Sequence, residues 1–147
     1  MKVNVKRLNE NAVVPTRGSE YAAGMDLYAC IDEPIMITPH STVSIPTGIA
    51  TELPHGYFGA IFARSGLARN CGLRPGTAVS VIDEDYRGEW IVPLHNDFDE
   101  PKMISPNERI AQLVIMPYMN VEFNEVSSLD STSRGEGGFG SSGKGVM

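Results

Sequence analysis

With 147 residues, the chain fits one domain, able to bury roughly two-thirds of the surface that it exposes when unfolded. Apolar residues make up 41% and charged residues 20%, while fifteen Gly and ten Pro without long helical patterns favour short strands and many turns. The net charge of −6 argues against a polyanion-binding surface, which needs a broad basic field, but leaves room for a small phosphorylated ligand held by a few arginines and a metal.

The N-terminus, Met-Lys-Val-Asn-Val-Lys-Arg-Leu, lacks an apolar core of signal-peptide length, and no stretch is long enough to span a bilayer. A cytoplasmic location is the expectation. Val3 and Val5 alternate with Lys2, Asn4 and Lys6, which predicts a first strand with one buried face. Asn9 to Glu20 is polar and reads as a loop. Tyr21 to Ile31 begins with small residues and ends as a strand, with Asp26 inside an otherwise apolar run. A carboxylate there is costly unless paired or metal-linked, so Asp26 is either a hydrogen-bonded structural residue or a metal-associated one. Cys30 and Cys71 are far apart and are expected to be free, partly buried thiols.

Ile35–Ile37, Val43–Ile45 and Ile49–Leu53 are short strands cut by Pro34, Pro39, Pro46 and Pro54, the rhythm of a β-sandwich or barrel. Gly56 to Phe62 gives another strand, leading into Ala63 to Arg69, which suits a single helical turn. Arg64 and Ser65 near its start, with free backbone N–H groups, form an anion site in kind, although such a pair is common by chance.

Val79, Val81 and Ile82, then Trp90, Ile91, Val92 and Leu94, flank an acidic turn ending in Gly88, which predicts a β-hairpin. It reads either as a solvated turn or as a functional one. Asp83 follows Ile82 directly, so its carboxylate is expected at a partly dry edge, and Tyr86 sits near the tip, where packing alone does not require a large ring. A fixed carboxylate beside an aromatic platform is suited to activating a water next to a flat ligand. Asn96 to Pro101 is an acidic loop. Glu108 to Met116 reads as a buried strand in which Gln112 must find partners for its amide, as network glue or as a ligand contact. Val121 to Val126 is expected to complete the strands.

From Ser127 the composition changes, and Arg134 to Gly145 is Gly-rich. Terminal Gly/Ser stretches are usually disordered tails. Gly138, Gly143 and Lys144 have the spacing of a P-loop, but Gly145 replaces the required Ser or Thr, and neither strand nor helix flanks the segment. What survives is mobile Gly backbone, two hydroxyls, two cations and the Phe139 ring, able to wrap a phosphate only by closing over a site built elsewhere.

Together these segments resemble, in order and spacing, the five motifs of the trimeric deoxyuridine triphosphatases. Ala23-Gly-Met-Asp-Leu27 is similar to the first, Arg64-Ser-Gly-Leu67 to the second, Val81-Ile-Asp-Glu-Asp-Tyr-Arg-Gly88 to the third, Arg109-Ile-Ala-Gln-Leu113 to the fourth, and Arg134-Gly-Glu-Gly-Gly-Phe-Gly-Ser-Ser-Gly143 to the fifth. The resemblance implies an all-β, jelly-roll-like barrel over residues 1–130 and a C-terminal arm, 131–147, closing over sites shared between the subunits of a homotrimer. It implies hydrolysis of dUTP to dUMP and pyrophosphate, keeping uracil out of DNA and supplying dUMP for thymidylate synthesis, with Mg²⁺ on the triphosphate. Neither a nucleic-acid polymer nor a membrane is an expected partner.

By the same resemblance, Asp83 deprotonates the water that attacks the α-phosphorus, and Tyr86 packs under the deoxyribose, leaving no room for a 2′-hydroxyl. Backbone from Ser80, Val81 and Ile82 to Ile91 reads the uracil edge. Asp26 helps to hold the metal's water shell without ligating the ion. Arg64, Ser65, Gly66 and Gln112 contact phosphates. From the arm, Phe139 stacks on uracil while Arg134, Ser141, Ser142 and Gly143 grip the terminal phosphates, with Gly140 also binding substrate. Ser80 stands where the family usually has Gly, Ser142 where it usually has Thr, and Asn107-Glu108 where Gly-Asp is commoner. The alternatives are a dCTP deaminase or bifunctional deaminase/dUTPase of the same fold, which needs a proton-shuttling Glu at the base, and a non-catalytic nucleotide-binding β-domain.

Overall fold

The computed structural model describes residues 1–138. Among the described residues twelve short strands and one helix follow one another: β1 (Asn4–Arg7), β2 (Thr16–Arg17), β3 (Met25–Tyr28), β4 (Ile35–Ile37), β5 (Thr42–Pro46), β6 (Ile49–Glu52), β7 (Tyr57–Phe62), α1 (Ser65–Cys71), β8 (Leu73–Pro75), β9 (Ser80–Ile82), β10 (Ile91–Asn96), β11 (Lys102–Ile104) and β12 (Arg109–Pro117). Proline and glycine punctuation keeps each strand short, and all the pairings are antiparallel. The largest sheet has the order β2-β3-β12-β7-β9, another is β5-β10-β8, and β1-β6 and β4-β11 are two-stranded. This is an all-β, jelly-roll-like fold. No helix among the described residues is long and apolar enough to cross a membrane.

The core lies between these sheets, and β10 shows how the sequence builds it. Val92, Leu94 and Asn96 point inward in strict alternation, with Trp90 fully buried just before them. Asn96 escapes the cost of a buried amide by donating to the carbonyls of Ile37 and Glu100 (3.2 and 2.7 Å) and accepting from Phe98 N–H at 3.0 Å. It stitches the acidic turn to β4, which lets β11 add to β4. Both cysteines are free and half-buried. Burial, and then Glu89 and Asp32, push the Cys30 thiol upward, which keeps it protonated and inert.

Four local expectations are corrected. The first strand has at most a partly covered face: Val3 packs half-buried against the core, but β1 itself pairs with β6 and its four residues are exposed. The hairpin is splayed. Its first arm, β9, pairs with β7, whereas its second arm, β10, pairs with β5 and β8. Trp90 explains the split, because its backbone bonds to Thr47 and Ile49 while its indole is buried, drawing the second arm into the other layer. Asp83 is exposed rather than partly dry. Val121 to Val126 forms no strand, and the segment after Pro117 carries Met119, Val121 and Phe123 largely exposed.

Candidate active site

Asp26 on β3 stands opposite Gln112 on β12, which in turn stands opposite Phe62 on β7. The Asp26 carboxylate is nearly buried, with its side chain 13% exposed between two guanidinium groups. Arg64 Nε donates to Oδ1 at 2.7 Å, and Arg109 Nη1 donates to Oδ2 at 3.2 Å. The structural alternative for Asp26 is therefore realised as an ion pair with two arginines. Two cations against one carboxylate leave a net positive cleft in a chain of net negative charge. Its volume is about 230 Å³, and it is lined by Gly24, Asp26, Arg64, Ser65, Gly66, Arg109 and Gln112 among others. Ser65 opens α1, whose first N–H groups lack intrahelical partners.

Gln112 serves as network glue through Nε2, which donates to the Ala63 carbonyl at 2.8 Å and so fixes the approach to Arg64. Its amide oxygen rests over Gly24, where an added Cβ would lie 2.4 Å from Oε1, so a side chain at that position would displace the amide. Among the described residues no group of three or more His, Cys, Asp or Glu side chains is placed to hold a metal ion. Each Asp26 oxygen spends one lone pair on an arginine and keeps another for a water. The donor set thus suits a Mg²⁺ that arrives on phosphates and retains most of its water shell.

A second cleft, of about 190 Å³, opens where the hairpin splays, lined by Val81, Ile82, Asp83, Tyr86, Glu89 and Ile91. β9 is the edge strand of its sheet, so one side of its backbone is unpaired. On the facing strand, the Pro93 carbonyl points away from β5 to accept from Gly76 N–H at 2.6 Å. Strand alternation turns the Ile91 peptide groups the same way, where no strand covers them. The cleft is therefore flanked by free backbone donors and acceptors. Ser80 does not line it, and its hydroxyl is tied to Thr77 Oγ1 at 2.7 Å.

The Asp83–Tyr86 turn closes with Tyr86 N–H donating to the Asp83 carbonyl at 3.2 Å. Tyr86 folds back so that its hydroxyl donates to the Glu89 carbonyl at 3.1 Å. The ring lies directly over Gly88, where an added Cβ would push it aside. Glu89 accepts from Gly48 N–H at 2.7 Å.

The two clefts are far apart on one chain. Ile82 is level with Gly59 on β7, so Asp83 lies beside Phe58, four residues along from Phe62 in the Asp26 row. Three strand spacings of ~4.8 Å and four residues of ~3.3 Å put roughly 20 Å between Asp26 and Asp83.

A protein-family model described as dUTPase matches residues 10–143. The chain belongs to the dUTPase family. It is 45% identical to the deoxyuridine 5'-triphosphate nucleotidohydrolase of Syntrophotalea carbinolica over 96% of each chain. It is equally identical to the Anaplasma marginale enzyme of that name, covering 97% of this chain and 99% of the relative. Among solved structures, the Staphylococcus bacteriophage 80alpha dUTPase with dUPNHPP superposes with a TM-score of 0.88 at 30% identity, over 97% of this chain and 99% of that one.

In this dUTPase the structure brings Asp26, Arg64, Ser65, Gly66 and Gln112 together, and separately Val81, Ile82, Asp83, Tyr86 and Ile91. It joins Arg134 to neither cleft: among described residues Arg134 Nε donates to the Gly137 carbonyl at 2.9 Å. Phe139, Gly140, Ser141, Ser142 and Gly143 lie outside the described residues. Sequence reasoning passed over Arg109 and Glu89. Arg109 opens the strand that carries Gln112, and a cation at that point beside a half-buried Asp was the available signal. Glu89 had none, because its bond to Gly48 spans 41 residues.

Proposed function

We propose that this dUTPase hydrolyses dUTP to dUMP and pyrophosphate, with Asp83 as general base. The observation that carries the reading is the splayed hairpin. A free carboxylate, an aromatic wall and uncovered backbone edges meet in one cleft. The uracil edge takes the place of the missing strand pairing, between β9 and Ile91. The deoxyribose lies on Tyr86. Asp83 takes a proton from a water whose oxygen attacks the α-phosphorus, and the bond to the bridging oxygen breaks, releasing pyrophosphate. Mg²⁺, when bound on the triphosphate, neutralises charge there, with Asp26 accepting hydrogen bonds from its water shell. Arg64, Arg109, Ser65, Gly66 and Gln112 hold the phosphates in line, since this chemistry depends mostly on positioning and charge.

The separation of roughly 20 Å between the clefts supports a site shared between copies, because a span of three strands and four residues is too wide for one triphosphate to bridge. The reading is a homotrimer in which the Asp83 cleft of one subunit faces the Arg64 cleft of the next. The exposed apolar residues after Pro117 and the uncovered β1 supply surface for the contact. An arm of residues 131–147, carrying Arg134, Phe139 and Ser141 to Gly143, closes over the ligand.

Offering dUTP and dCTP with Mg²⁺ tests this directly. Pyrophosphate from dUTP alone is expected. Deaminated base would replace the reading with a deaminase, and no turnover of either would replace it with a binding domain. Against the deaminase stands Glu89, the glutamate lining the cleft, whose Oε1 is already engaged by Gly48.

Tyr86 sets the sugar preference by excluding atoms rather than by attracting them. The native protein should strongly prefer dUTP over UTP, and Tyr86→Ala should narrow that kcat/KM ratio by about tenfold. Unchanged selectivity in a folded variant would remove the ring from that role.

A further inference from the structure

The turn that carries Asp83 borders open space rather than a packed layer of this chain. Next to the Tyr86 cleft, and sharing Val81 and Asp83 with it, lies a cavity of about 580 Å³, also lined by Phe58, Glu84, Asp85 and Tyr118. A catalytic carboxylate backed by open space needs another restraint, because a misplacement of 1 Å costs about 10²-fold in rate. Arg87 stiffens the turn internally, donating to the carbonyls of Glu84 and Tyr86 at 2.6 and 3.2 Å. Those bonds fix its shape, and the reach of Arg87 toward the barrel is a long, solvent-exposed ion pair with Glu52 Oε1 at 3.9 Å, too weak to set the turn's location.

The outward tie is made by Glu84, the residue next to Asp83. Its Oε2 accepts from Gly56 N–H at 2.6 Å, and its Oε1 meets His55 Nδ1 at 2.7 Å. Gly56, at φ 82°, forms the turn into β7, the strand to which β9 is paired. The Gly56 carbonyl in turn accepts from Tyr118 N–H at 3.0 Å, the first residue after β12. The Tyr118 ring stands edge-on to Phe58, with centroids 6.5 Å apart. One peptide-bearing residue thus ties together the Asp83 turn and the root of the C-terminal segment. The His55 contact and the Gly56 N–H hold Glu84 below the usual carboxylate range, so the tie remains intact at neutral pH.

We propose that Glu84 is a positioning residue for Asp83, clamping the turn to His55 and Gly56 at a point shared with the root of the arm. The inference rests on Asp83 being the general base. Its consequence is a kcat effect, because the clamp touches no part of the cleft where uracil and sugar would sit.

Three measurements on the full chain test it. Glu84→Ala should lower kcat by about 10–100-fold with KM for dUTP changed by less than about twofold. Glu84→Gln keeps an oxygen to accept from Gly56 N–H and should restore kcat to within about threefold of native. Hydrogen exchange at the Tyr86 amide of the ligand-free protein should quicken in Glu84→Ala, remain native in Glu84→Gln, and leave β12 protected in both. A kcat within about twofold of native in Glu84→Ala, equal impairment of both variants, or unchanged exchange at Tyr86 would each overturn the clamp. A native protein releasing no pyrophosphate from dUTP would instead overturn the activity, and the exchange measurement would still decide whether Glu84 restrains the turn.

Discussion

Replacing Asp83 by Asn should cut the rate of pyrophosphate release by about 10²–10⁴ while leaving affinity for a non-hydrolysable dUTP analogue largely intact. The amide preserves the shape of the carboxylate but cannot accept the proton that the attacking water must lose. Asp83 is well suited to such a clean experiment. It is exposed, and no described residue donates to its carboxylate, so the substitution leaves no buried partner unsatisfied. The same change at Asp26 would remove the charge that Arg64 and Arg109 share and leave one of them facing an amide NH₂, confusing loss of chemistry with loss of structure. A single-turnover measurement with calorimetric titration of the analogue separates the rate from the affinity. Near-native turnover by Asp83→Asn would take the residue out of the mechanism.

An equally large effect should appear when two dead proteins are mixed. Cutting the chain after Leu129 removes every arm residue assigned to the phosphates and uracil, and it should abolish most turnover while the barrel, whose last strand ends at Pro117, still folds and assembles. Unfolding this protein together with Asp83→Asn and refolding the mixture should restore activity well above either parent. If the Asp83 turn of a site comes from one subunit and the arm from another, random equal mixing in a symmetric ring gives about one quarter of sites both intact parts. If one chain supplied both, no mixed assembly would contain an intact site. Differently tagged chains verify that mixed trimers have formed. Background activity in such verified assemblies would mean that each chain closes over its own ligand.

Much of the fold was legible because its code is local. Strands β4 to β7 announce themselves through β-branched residues cut by proline, and the helical turn after Ala63 through its sequence context. The short strands β2, β8 and β11 were missed because two or three residues have no period to detect. Their existence depends on partners outside the segment: β3 for β2, and β10 and β4, more distant along the chain, for β8 and β11. The splayed hairpin illustrates the same limit. Alternation on both sides of an acidic turn predicts mutual pairing, but burial of Trp90 outweighs it, and a tertiary preference overrides a local one.

The site was legible in its residue types and not in its geometry. Asp26 and Gln112 stood out as polar groups in apolar runs, and Arg64 as part of an Arg-Ser pair opening a helical turn. The structure gathers the first two because β3 and β12 pair in that register, and Arg64 joins them through its bond to Asp26. That Asp83 belongs to a different cleft follows from the width of a sheet, which no motif records. Glu84 escaped notice because an acidic residue in an acidic turn looks like any solvated charge. Its partners, His55 and Gly56, lie 29 and 28 residues back along the chain.

The unpaired side of β9 has a consequence for solubility. An open strand edge is a template for association with any other free strand, and proteins normally blunt such edges with charge, proline or a covering loop. Here the edge borders the cleft, and a nucleobase lying along it would act as the cover. The protein without nucleotide is then the form at risk, and saturating dUMP should slow its aggregation on warming. Light scattering that rises equally fast with and without the nucleotide would show that the edge is protected by other means.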